Sequence, residues 1–189
     1  MKATFILPEG YRKLYDIDLK QKRLAILVNL LALVIAVALV IPGALSVPLT
    51  QLWEPLDSPI SALRPLALGL ACFVYIPLHE LIHGIFIRYY SGKRANYGFT
   101  LMYAYAGSDA WFAKIPYFVI ALAPVVIWGV VLAILQLLVS APWFWVVYGV
   151  QIINLSGAAG DLYVFFRLLQ EPADILVRDT GTAMTVYCR

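Results

Sequence analysis

The chain has 189 residues, of which 62% are hydrophobic and only 13% charged, and its mean hydropathy of +0.83 lies far outside the range of soluble globular domains. A net charge of +3, abundant aromatics and just two cysteines together disfavour disorder, nucleic-acid binding and a disulfide scaffold. The composition predicts an integral membrane protein with Cys72 and Cys188 as free thiols.

A basic N-terminal segment, with Lys2, Arg12, Lys13, Lys20, Lys22 and Arg23, precedes the first apolar run at residues 24–42. About 20 helical residues cross a hydrocarbon layer of ~30 Å, whereas signal-peptide cores run only about 7 to 15. The run is therefore expected as an uncleaved first span. A second run, residues 66–90, is interrupted by His79, Glu80 and His83. From Ile115 to Gly160 no charged residue occurs. That length suits two further spans, 116–139 and 143–168, turning at Ser140-Ala141-Pro142. Before them, residues 96–105 mix β-branched and aromatic types, and Gly107-Ser108-Asp109 supplies turn chemistry before Ala110-Trp111-Phe112, which predicts a β-hairpin at the membrane surface. Residues 182–187, behind Thr180-Gly181, predict a short strand in the tail. The expected fold is an all-α integral membrane protein: four transmembrane helices, a small cytoplasmic β-hairpin and a short β tail. It forms one domain over residues 1–189, with a catalytic core at 66–168.

Orientation follows from basic residues in short loops. The N-terminal segment and the loop with Arg88, Lys93, Arg94 and Lys114 are expected in the cytoplasm. The segment 43–65, with Arg64 against Glu54 and Asp57, suits the outer side, so both termini lie inside. Trp53, Trp111, Trp143 and Trp145 fall near predicted interfaces and read as anchoring aromatics. Asp109 and Glu171 read as solvated carboxylates, and Cys72 as plain helix packing. The bilayer is the expected partner, with no nucleic acid, and the sequence leaves the oligomeric state open.

The chemistry lies in the second span, which reads His79-Glu80-Leu81-Ile82-His83, an H-E-x-x-H arrangement. Four residues along a helix bring two imidazoles onto one face about one turn apart, able to grip one metal ion, with Glu80 on an adjoining face as a general base. The chain has two histidines and four glutamates. Random placement would produce this spacing on the order of a few times in ten thousand. Polar glue between helices is the competing explanation, but an ionised group near a bilayer centre costs about 2.5 to 3.5 kcal/mol, so such residues usually mark function.

A catalytic zinc takes a third protein ligand and keeps a fourth position open. The fourth span offers Asp161, the only ionisable residue between Lys114 and Arg167. Asp161 lies six residues before Arg167 and His83 five before Arg88, which predicts one common depth for both. Gln151, Asn154, Gly157 and Asp161 form a polar or small stripe, and Gly157 and Gly160 favour close helix packing.

An H-E-x-x-H helix in the membrane, a surface β segment and a later helix carrying Asn154-x-x-Gly157-x-x-Gly160-Asp161 resemble the site-2 protease class of intramembrane zinc metallopeptidases. More narrowly, the chain resembles a small bacterial membrane family described as "putative zincin peptidases" of unknown function. Leu7-Pro8-Glu9-Gly10-Tyr11, His79 to Gly84, Tyr97-Gly98-Phe99, Ala123-Pro124 and Gly157 to Asp161 carry that likeness. In the site-2 class a proline stands where this chain has Gly157. The resemblance implies zinc held by His79, His83 and Asp161, Glu80 as base, Asn154 as a substrate-binding residue, and a bacterial inner or plasma membrane location. The expected function is an intramembrane zinc metalloprotease that cleaves membrane-protein or peptide substrates near the cytoplasmic side. A non-catalytic metal-binding or partner-helix-binding membrane protein, such as a sensor, transporter or inactive protease relative, is the alternative.

Overall fold

The computed structural model describes residues 2–18, 21–53, 59–99, 104–181 and 183–189. Lys20, Glu54, Asp57, residues 100–103 of the expected hairpin and Thr182 of the expected tail strand lie outside the described residues.

Among the described residues, five α-helices form where the apolar runs predict them. They are α1 (Lys22–Ser46), α2 (Pro59–Ser91), α3 (Lys114–Leu138), α4 (Phe144–Gly157) and α5 (Ala159–Leu169). By length and composition α1, α2, α3 and the combined stretch Ala141–Leu169 are each sufficient to cross a membrane. That last stretch is not one continuous helix, contrary to expectation: Ala158, with ψ near 14°, ends α4 before α5 begins. Asn154 therefore belongs to α4 and Asp161 to α5.

The all-α expectation is overturned by a five-stranded antiparallel sheet. Its strands are β1 (Ala3–Thr4), β2 (Arg12–Ile17), β5 (Trp111–Ala113), β6 (Leu176–Asp179) and β7 (Met184–Cys188), in the order β1-β5-β6-β7-β2. The fold is mixed α and β. Of these, β7 lies within a residue or two of the predicted tail strand and β5 falls on the segment expected after the turn at 107–109, while β1, β2 and β6 were not anticipated. The basic N-terminal segment contributes β2, in which Lys13 pairs with Asp16 at 2.6 Å. A hairpin is present but not with the expected turn: β3 (Asn96–Phe99) pairs with β4 (Ala104–Gly107), so Gly107 closes a strand instead of opening the turn, and residues 111–113 pair with β1 and β6 instead of with 96–105.

The chain divides into two compact units. The first holds Met1–Val28, Leu78–Pro124 and Gly160–Arg189. One row of directly opposed residues crosses its whole sheet: Ala3, Phe112, Val177, Val186 and Tyr15. Because strand side chains alternate between faces, one row sets one buried face. Phe112, Val177 and Val186 are accordingly at most 1% exposed. They pack against Ile87 of α2, Tyr117, Phe118, Ile120 and Ala121 of α3, and Val164 and Leu168 of α5. The end of α5 is fixed to the sheet as well, since the Tyr15 hydroxyl donates to Glu171 Oε1 at 3.0 Å. Burial and that carboxylate push the Tyr15 pKa up to about 12. Glu171 also pairs with Arg167, and Lys114 Nζ donates to the Leu169 and Glu171 carbonyls at 3.2 and 2.5 Å, neutralising the helix end. Glu171 is thus held by the fold instead of being freely solvated. Trp111, expected as an interface anchor, lies in β5 with the Arg178 guanidinium over its ring.

The second unit holds Asn29–Pro77 and Val125–Ala159. Tyr75, Leu132 and Val150 form its small core, with Cys72 packed beside them. Both cysteines are free thiols. Trp145 is buried at 4% exposure, and its indole N–H is shared between the Val47 and Pro48 carbonyls, so it packs the interior of this unit instead of anchoring a surface. Arg64 is also buried and donates to the Gln51 carbonyl at 2.7 Å. Outward, Leu30, Leu33 and Val34 of α1, Leu66, Leu70 and Phe73 of α2, and Leu137 and Leu138 of α3 are exposed.

Candidate metal centre

His79, Glu80 and His83 lie in the last part of α2, and Asp161 in the first turn of α5, all within the first unit. The break at Ala158 starts a new helix two residues before Asp161, where unsatisfied N–H groups and the helix dipole favour a carboxylate. The two histidine Nε2 atoms are 3.2 Å apart. Asp161 Oδ2 stands 3.4 Å from His79 Nε2 and 3.7 Å from His83 Nε2. A tetrahedral ion with bonds of about 2.0 to 2.2 Å needs donor-to-donor edges of about 3.3 to 3.6 Å. The triangle therefore fits one face of a zinc coordination sphere and leaves a fourth position for another ligand. Both histidines are 8% exposed, whereas the Asp161 side chain is 29% exposed, so the site is lined by protein yet open on one side.

His83 is also held from behind. Its Nδ1 lies 2.8 Å from the Ile120 carbonyl oxygen, which can only accept, so Nδ1 carries a proton and, in the neutral ring that binds a metal, Nε2 presents its lone pair. Glu80 sits beside the pair: its carboxylate and the two histidine nitrogens all lie within 4.8 Å of one another. The Ala106 backbone N–H of β4 donates to that carboxylate.

Glycines bring the β3–β4 hairpin close to this helix. A Cβ on Gly84, directly after His83, would stand 1.7 Å from the Tyr97 hydroxyl, and a Cβ on Gly107 would stand 2.2 Å from the Thr180 backbone. At Gly107, where the neighbour is backbone, only glycine permits the approach, whereas at Gly84 a side chain would displace the Tyr97 ring. The Ser108 N–H then donates to the Asp179 carbonyl at 2.7 Å, joining the hairpin to β6. The Asp179 side chain accepts from the Tyr117 hydroxyl at 2.7 Å and from the Gly181 N–H at 2.8 Å. Burial raises the pKa of that carboxyl, against the pull of its two donors.

The remaining sequence candidates lie elsewhere. Asn154 belongs to the second unit and is fully buried, its Oδ1 accepting from the Tyr75 hydroxyl at 2.6 Å and its Nδ2 donating to the Val125 carbonyl at 3.2 Å. Asp109 is exposed and pairs with Arg178 at 2.7 Å. Two groups that shape the site, the Ile120 carbonyl and the Ala106 N–H, belong to the backbone, and sequence reasoning about side chains passed over both.

Residues 72–176 match a family model described as "putative zincin peptidase", a stretch that includes the whole His79-Glu80-His83 group and Asp161. No curated protein and no solved structure matches the chain.

Proposed function

Because the chain belongs to the family described as "putative zincin peptidase", in which zinc is the implied metal, we propose that it is a zinc metallopeptidase hydrolysing peptide bonds of membrane-associated substrates. One observation carries this reading: three donor atoms from α2 and α5 at the edge lengths of a zinc face, with a carboxylate beside them. His79, His83 and Asp161 hold the ion. When bound, zinc supplies a Lewis acid that acidifies water and polarises the scissile carbonyl. Glu80 takes the proton from the attacking water and returns it to the leaving amine, the Ala106 N–H keeping its carboxylate in place meanwhile. One zinc per chain is expected on elemental analysis of gently purified protein, with uptake lost in His79→Ala and in His83→Ala. A chain that neither carries nor takes up zinc would end the peptidase reading.

The reaction is proposed to occur within or beside a membrane. Four helices of sufficient length and apolarity, with Leu and Val side chains exposed along α1, support that setting, because such surface is costly in water and favourable in lipid. The order of the motifs, H-E-x-x-H first and the small-residue segment with Asp161 later, supports a mechanism like that of the site-2 proteases. A helical substrate hides its carbonyls, so the scissile segment must be unwound. The β3–β4 hairpin offers strand edges to such an extended segment. Its basic flanks support a cytoplasmic location for it and for both termini. A single cysteine at Lys93, in a background without Cys72 and Cys188, should react with an impermeant reagent only after the membrane is opened. Labelling of intact cells would reverse the topology.

A further inference from the structure

We propose that Pro124 is a positioning residue for the metal centre, acting by leaving the Ile120 carbonyl free for His83. This rests on the metallopeptidase reading for its purpose but not for its geometry. In a helix the carbonyl of residue 120 accepts from the N–H of residue 124. Here residue 124 is a proline inside α3, which has no N–H to give and whose ring pushes the carbonyl four residues earlier off the helix axis. The carbonyl so released is the one that His83 Nδ1 reaches at 2.8 Å. Ile120 is 5% exposed and Pro124 is buried, so water offers no ready substitute donor.

An orphaned buried carbonyl has a free-energy cost, and the imidazole N–H satisfies it. The same bond selects one of two neutral tautomers. With the proton on Nδ1, the lone pair lies on Nε2, the atom 3.2 Å from His79 Nε2 and 3.7 Å from Asp161 Oδ2. In the other tautomer the proton would occupy the position where a ligand lone pair is needed. The backbone defect in α3 thus sets both the ring orientation of His83 and its donor atom. The neighbouring carbonyl differs in degree: Val125, one residue past the proline and with the N–H of Gly129 available to it, accepts the Asn154 amide at 3.2 Å, against 2.8 Å for His83 at the released Ile120 carbonyl.

The test compares three forms of the full chain in lipid: wild type, Pro124→Ala, and a chain with the α-hydroxy acid of alanine at position 124. The last has neither the proline ring nor an N–H. The sequence contains two histidines, so 15N-imidazole labelling gives four ring nitrogens, assigned with His79→Asn. In metal-free wild type at a pH alkaline enough to leave both rings neutral, His83 should show a protonated Nδ1 and an unprotonated Nε2. Pro124→Ala restores a competing N–H, and should move His83 towards the other tautomer and weaken zinc binding about 10- to 100-fold in chelator competition, the range for a lost outer-sphere partner. The hydroxy-acid chain should recover both signals. A Pro124→Ala chain with unchanged tautomer and zinc affinity would overturn the proposal. So would a hydroxy-acid chain that folds but behaves like the alanine variant, since the ring and not the missing donor would then matter. If Pro124→Ala does not fold, the hydroxy-acid chain alone still decides, by keeping or losing the wild-type tautomer. A wild type that takes up no zinc but shows the Nδ1-protonated ring would refute the peptidase reading and leave the role of Pro124 standing.

Discussion

Glu80→Gln should retain one zinc per chain and the wild-type fold, while peptide cleavage falls by about 10²- to 10⁴-fold, the range supplied by a general base. The amide has nearly the shape of the carboxylate, and its Oε1 can still accept the Ala106 N–H that steadies Glu80. The triangle of His79, His83 and Asp161 is untouched by the change. What the variant lacks is a group that can take a proton from water and hand it on. Paired measurements of zinc content and of cleavage in a membrane-peptide library therefore separate catalysis from metal binding. A variant that cleaved at the wild-type rate would remove Glu80 from the reaction. A wild type that bound zinc and cleaved nothing in the library would favour the binding-protein alternative, against which the carboxylate beside the histidines now stands, since a pure metal site has no use for it.

The helices were legible because apolar runs are long and continuous: α1 and α3 begin within two residues of where hydropathy puts them. The break in the last span was not. Gly157-Ala158-Ala159-Gly160 reads equally well as a close-packing surface, and nothing in those side chains states that the helix ends at Ala158. The sheet was missed for a different reason. β1 has two residues and β5 three, too short to display a period of two, and β2 reads Arg-Lys-Leu-Tyr-Asp-Ile, which resembles a charged membrane flank. Its partner is at the far end of the chain, with Arg12 opposite Cys188. Only burial of the row through Phe112, Val177 and Val186 makes that pairing favourable, and burial is a property of the assembled unit. The tryptophans follow the same logic, since Trp145 satisfies its N–H on carbonyls at residues 47 and 48, a contact with no local signature. By contrast His79, Glu80, His83 and Asp161 stood out because ionisable groups within apolar helices are costly and therefore rare.

Asp161→Ala should cost more zinc affinity than any outer-sphere change, at least about 100-fold, and should remove cleavage with it. The argument is geometric. With the carboxylate present, three donors define a face with edges of 3.2, 3.4 and 3.7 Å; without it, only the His79–His83 edge remains, and two imidazoles on one helix do not fix an ion in three dimensions. Among the described residues, Glu80 is the other carboxylate at the histidine pair, and drawing it in as a ligand would consume the base. The variant therefore loses activity whether zinc leaves or is rescued by Glu80. Asp109→Ala is the control, because that carboxylate is exposed and bonded to Arg178, and it should leave zinc and cleavage unchanged. X-ray absorption separates the outcomes: the wild-type edge should require two imidazoles and at least one oxygen donor from protein, and Asp161→Ala should show either no bound zinc or an altered shell. An unaltered shell in Asp161→Ala, at wild-type affinity, would mean that Asp161 stands near the histidines only as an ion-pair partner and that another group completes the site.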